Sequence, residues 1–105
     1  MVASAREFFR DLAARPGGRS ERTRGLRASY RFEIEDAGSW VVRVDDGAVS
    51  VEESDAAADC VMKASERTFL RIVNRELNAM AAYLTGKVKI SGDQGLAFRL
   101  RDLLS

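Results

Sequence analysis

The chain has 105 residues, 46% hydrophobic and 31% charged, with one cysteine and no histidine. That length supports one domain spanning 1–105, and the composition is that of a folded globular protein. A disulfide framework and a Cys/His zinc site are excluded, and the commonest general base is missing, so an enzyme is the disfavoured class. The net charge of +1 hides a split: residues 1–30 carry seven Lys/Arg against three Asp/Glu, 31–66 three against ten, and 67–105 seven against three.

Residues 2–15 read as an amphipathic helix, with Ala5, Phe8, Phe9, Leu12 and Ala13 on one stripe. Pro16-Gly17-Gly18 stops it, and an arginine-rich loop follows from Arg19 to Gly25. Leu26, Ala28, Tyr30, Phe32 and Ile34 then alternate with Arg27, Ser29, Arg31, Glu33 and Glu35, a strand with one dry and one wet face. Ala37-Gly38 turns the chain into a strand over Trp40 to Val44. Asp46-Gly47 is a two-residue hairpin signal, and strands follow over Ala48 to Glu52 and Ala58 to Ala64. Ser65 caps a helix reaching Asn74, with Phe69, Leu70, Ile72 and Val73 as its apolar positions. Asn78 caps a shorter helix carrying Met80, Ala81, Tyr83 and Leu84, and Gly86 ends it. Lys87 to Ser91 is a fifth strand, and Asp93 caps a last helix bearing Leu96, Ala97, Leu100, Leu103 and Leu104. The order is helix, four strands, two helices, strand, helix. The expectation is a two-layer α+β fold, a five-stranded mixed sheet covered on one face by helices.

The block Ala81-Ala82-Tyr83-Leu84-Thr85-Gly86-Lys87-Val88-Lys89-Ile90-Ser91-Gly92-Asp93 resembles the signature of the sterol carrier protein 2 (SCP-2) lipid-binding domain family. Tyr30-Arg31-Phe32, Gly38-Ser39-Trp40, Asp46-Gly47, Ala58 to Met62 and Ser65 to Val73 match upstream in the same order. The chain departs from the pattern at Arg75 and Ala79, where that family often has glycine and proline in the turn that guards the ligand cavity. The resemblance implies a tunnel between sheet and helices for a fatty acyl, phospholipid, sterol or isoprenoid-like ligand, with no covalent chemistry and no cofactor. It also implies a second use, as an accessory interaction module of lipid or quinone metabolism with a filled core.

Under this resemblance the lipid-lining residues are Phe8, Leu12, Met62, Phe69, Val73, Leu77, Met80, Tyr83, Leu84, Ile90, Leu96, Phe98 and Leu100. Taken from the residues alone, the same large and flexible side chains read as ordinary core. Phe98 differs, because it points away from the stripe of Leu96, Leu100 and Leu103.

Other candidates are weaker. Cys60 alternates with Met62 and Ala64 and reads as a small buried hydrophobe. Asp45 and Asp46 are turn chemistry, and Gly86, Gly92 and Gly95 match no phosphate loop. Arg15, Arg19, Arg22 and Arg24, with Arg27, could touch an anionic membrane. They lack the interleaved aromatics of a nucleic-acid surface, and the pI is about 7.9. The start has no apolar h-region and no stretch is long enough to span a bilayer, so a cytoplasmic protein is expected. The end, Leu103-Leu104-Ser105, is not the peroxisomal address, and 14 arginines against 3 lysines suggest a bacterial coding genome. The expected partners are a hydrophobic small molecule and transiently an anionic membrane, with a homodimer compatible and nucleic acid not. The charge split itself reads as a positive helical layer over a negative sheet face.

Overall fold

The alternation that starts at Leu26 becomes the central strand. In a computed structural model, which describes residues 2–14, 25–97 and 99, β1 (Arg27–Glu35) buries Ala28, Tyr30, Phe32 and Ile34 on one face. β2 (Gly38–Asp45) pairs with it antiparallel and β4 (Cys60–Ser65) parallel. β3 (Ala48–Glu53) and β5 (Val88–Gly92) form the edges, giving the order β3-β2-β1-β4-β5. Cross-strand rows then assemble the inner face: Trp40, Phe32, Met62 and Ile90 in one, Val42, Tyr30, Cys60 and Gly92 in the next.

α1 (Ala5–Ala14) lies over β3, α2 (Glu66–Val73) over β4 and β1, α3 (Ala79–Leu84) along β5, and α4 (Gln94–Ala97) against β4 and β5. The mixed α+β architecture and its element order are those expected from the sequence. Ser65 and Asn78 cap α2 and α3 as their positions suggested: Ser65 Oγ accepts from Thr68 N, and Asn78 Oδ1 from the Met80 and Ala81 N–H groups. The Asp46-Gly47 turn holds both residues at positive φ, 50° and 88°, the primed geometry that matches strand twist.

Several boundaries move for local reasons. α1 starts at Ala5, because Ser4 Oγ accepts from Glu7 N at 3.1 Å while Glu7 Oε2 accepts from Ala3 N at 3.2 Å. The β1–β2 turn is Asp36-Ala37, with Asp36 at φ 72° and Ala37 N donating to Ile34 O. β4 starts at Cys60, because Asp59 is tied sideways to β1: Ser29 N donates to its carboxylate and its own N–H donates to Ser29 Oγ, each at 3.0 Å. Of the last helix only Gln94–Ala97 is described as helical; Leu100, Leu103 and Leu104 lie outside the described residues.

The outer sheet face is not uniformly wet. Val41 points away from the helices yet is fully buried. Parallel pairing of β1 with β4 forces the chain to cross from β3 over β2 and β1, and this crossover covers Val41. Arg31 fastens it, donating from Nη1 to the carbonyls of Asp55 at 3.2 Å and Ala56 at 3.1 Å and from Nη2 to Glu33 at 2.9 Å.

Candidate functional site

The helical layer closes the inner face unevenly. Over β2 and β1 it is sealed by aromatic rings. Phe9 stacks on Trp40, centroids 4.8 Å apart and planes 15° from parallel, and on Phe69 at 5.4 Å and 16°. Phe8 meets Phe9 and Phe69 edge-on at 5.2 and 5.3 Å, and Phe32 tilts against Phe9 at 5.2 Å. Offset stacks and edge-to-face pairs each add about 0.5–1.5 kcal/mol beyond area burial. Phe8, Leu12, Phe69 and Met62, four of the expected lipid-lining residues, are buried in this continuous core.

Toward β5 the described residues pack less closely. Val73, Leu77, Ile90 and Leu96 are half-buried against the core. α3 buries only Ala82, while Met80, Tyr83 and Leu84 are 52, 41 and 75% exposed. Eleven of the thirteen expected residues therefore divide three ways: four in the sealed core, four along the α2–α3–β5 side, and three on the outer stripe of α3. Phe98 and Leu100 lie outside the described residues, as do Arg15, Arg19, Arg22 and Arg24. Val88 and Ala82, buried where α3 meets β5, join the α2–α3–β5 side unforeseen; the alternation of Val88 with Lys87 and Lys89 was the available signal.

Residues that carry the resemblance have identifiable physical tasks. Tyr30 Oη donates to the Leu96 carbonyl at 3.0 Å, tying α4 to the central strand. Its neighbours Arg31 and Phe32 hold the crossover and the aromatic stack. Gly92, at φ 93°, passes so close to the Asp59 carbonyl that a Cβ there would collide with it. Asp93 then caps α4 through Oδ1, which accepts from Gly95 N at 2.8 Å and Leu96 N at 3.2 Å. Arg75 sits left-handed at φ 62° directly after α2, with Arg75 N donating to Ile72 O and Glu76 N to Arg71 O. That is the C-terminal motif in which glycine is favoured. Ala79 is the first residue of α3, where proline fits best.

No cluster of His, Cys, Asp and Glu able to hold a metal exists among the described residues. Burial, with smaller contributions from the Asp93 and Asp59 carboxylates, pushes the Cys60 thiol up, away from the nucleophilic thiolate. The charge split follows the sheet rather than its two layers. Glu33, Glu35, Asp36, Asp45, Asp46, Glu52, Glu53 and Asp55 gather on β1–β3 and their connections, while Lys63, Lys87 and Lys89 occupy the β4–β5 side beside Arg67, Arg71 and Arg75. The reason is β5, which returns a basic segment to the sheet edge opposite β3. No helix among the described residues is long and apolar enough to cross a membrane.

Known proteins share this arrangement. Residues 9–105 match the SCP-2 sterol transfer family. The chain is 35% identical over 80 residues to human sterol carrier protein 2, covering 70% of this chain and 15% of that protein. It is 31% identical over 88 residues to hydroxysteroid dehydrogenase-like protein 2 of Xenopus laevis, covering 80% and 21%. The chain thus spans about a fifth or less of these curated relatives. The solution structure of the sterol carrier protein domain 2 of Helicoverpa armigera superposes with a TM-score of 0.75 at 25% identity, covering 93% of this chain and 83% of that one. Sequence and topology agree: the chain belongs to the SCP-2 sterol transfer family.

Proposed function

We propose that this protein binds a single apolar lipid, with a fatty acyl, phospholipid, or sterol or isoprenoid-like body, and carries it through the cytoplasm without covalent chemistry. The observation that carries the reading is the weak attachment of α3, which buries one alanine and leaves three large apolar side chains outside. A segment with so little buried area opens at low cost. Behind it lie Val73, Leu77, Ile90 and Leu96, apolar surface onto which an acyl or ring body can pack. The driving force is apolar burial, roughly 25 cal/mol per Å² before the costs of association.

A permanent empty tunnel is disfavoured. An apolar void costs about 24 cal/mol per Å³, so a site of at least ~300 Å³ would cost about 7 kcal/mol, comparable with the whole stability of a small domain. The ligand therefore opens the site by displacing α3. Native mass spectrometry of the freshly purified protein, followed by organic extraction, tests this. A stoichiometric lipid is the expected result. The sealed ring cluster of Phe8, Phe9, Phe32, Phe69 and Trp40 favours a second reading, a filled interaction module serving enzymes of lipid or quinone metabolism. A clean apo mass that no lipid changes would select it.

A further inference from the structure

We propose that Met80, Tyr83 and Leu84 form a membrane-docking surface for anionic bilayers, with Arg75 and Lys87 meeting headgroup phosphates at its two ends. The inference rests on the carrier reading and says where such a carrier loads. Among the described residues these three are the exposed large hydrophobics, and all stand on one helix at i, i+3 and i+4. Single exposed apolar groups are ordinary, whereas a cluster marks a contact surface. α3 lies along the edge strand β5, at the rim of the molecule, where a flat surface can reach it. A tyrosine, half apolar and half polar, suits the headgroup boundary.

Charge selects the occupant. Arg75 and Lys87 are exposed at the two ends of α3 and Arg67 is exposed on α2, while Lys63 and Lys89, paired across β4 and β5, are exposed on the other face of the same sheet edge. Among the described residues the acids on that side are Glu66, whose carboxylate accepts from Ala5 N, Asp59, whose carboxylate accepts from Ser29 N, Glu76, and Asp93, whose carboxylate caps α4. With the other carboxylates concentrated toward β3, an anionic plane attracts the α3 side and repels the opposite edge. A second copy of the chain would instead set the cationic rims face to face about a two-fold axis, which opposes association.

Flotation of the full chain with vesicles of equal phosphatidylcholine and phosphatidylglycerol, and with phosphatidylcholine alone, tests the surface. Wild type should float with the anionic vesicles and release as salt rises. Leu84→Glu and Met80→Glu, both at exposed positions, should each weaken binding by about tenfold or more. Lys87→Glu should weaken it roughly fivefold while leaving uptake of a fluorescent fatty acid from solution intact. Ser50→Glu, on the opposite edge strand, should change nothing. Flotation of Leu84→Glu and Met80→Glu equal to wild type overturns the proposal. So does a wild-type dimer that Leu84→Glu dissociates, which assigns the stripe to a second copy. Wild type that takes up the fatty acid but does not float overturns docking alone. Wild type that floats and takes up none overturns the carrier reading alone.

Discussion

The side-chain amide of Asn74 closes two hydrogen bonds with the backbone of Val2: Val2 N donates to Oδ1 and Nδ2 donates to Val2 O, both at 2.9 Å. Asn74 also ends α2, and at the other end of that helix Glu66 Oε2 accepts from Ala5 N at 3.0 Å. α2 thus holds the segment entering α1 at two points. Asn74→Ala should cost about 1–2 kcal/mol, because it leaves partly buried backbone groups unpaired. The measurement is a denaturant midpoint at unchanged slope, with faster amide exchange at residues 2–5. An unchanged midpoint would remove the latch.

Phe9 and Leu84 should behave as opposites. Phe9 is stacked between Trp40 and Phe69 and almost fully buried, so Phe9→Ala should cost about 3–5 kcal/mol. Leu84→Ala should stay within about 0.5 kcal/mol. Equilibrium unfolding of the two variants checks the division between a sealed end and an open end. Equal losses would contradict it.

How much of this was legible follows from where each signal lives. The β1 alternation, the Asp46-Gly47 turn and the caps Ser65 and Asn78 are local, and each stands where the sequence placed it. The start of α1 was equally local, encoded in Ser4 and Glu7, but the longer apolar stripe masked it. Val41 was not legible, because its burial depends on where the 54–59 crossover lands. Nor was the exposure of Met80, Tyr83 and Leu84, since spacing shows that a stripe is apolar but not whether anything covers it. The helical layer was expected to be positive and the sheet negative; the gradient from β3 to β5 emerged only from strand order.

The two departures from the family pattern should both be improvable. Arg75 pays for a left-handed backbone that glycine adopts freely, so Arg75→Gly should stabilise by up to about 1 kcal/mol. Ala79→Pro should add about 0.4–1 kcal/mol, because Asn78 already has the extended backbone (φ −71°, ψ 129°) that a following proline requires. Thermal unfolding of each variant measures this. A lowered midpoint for either would show that the turn cannot accept the family residue.

The Arg6–Glu53 pair joins α1 to the edge strand through bonds of 2.8 and 3.0 Å, with the Arg6 guanidinium 5.6 Å from the centre of the Trp40 ring. The hydrogen bond to Arg6 chiefly, and its charge, hold the Glu53 carboxyl below the usual glutamate range. A depressed folded value stabilises above the unfolded pKa and is lost as pH falls through the folded one. Wild type should therefore exceed Glu53→Gln in stability at neutral pH, with the difference disappearing in acid. Both side chains are exposed, so added salt should shrink the gap as well. A difference that persists in acid would mean packing rather than charge.

An apolar ligand in the proposed site behind α3 would stabilise the folded chain by mass action. The most direct measurement is the melting temperature of delipidated protein titrated with a long-chain fatty acid, a phospholipid and a sterol. Ligand at a hundred times its Kd stabilises by about 2.7 kcal/mol, which for a domain of this size raises the midpoint by roughly 10 °C or more. Such a rise, saturable and one-to-one, is expected with at least one of the three. A midpoint unmoved by all three at saturating concentration would contradict the proposed site.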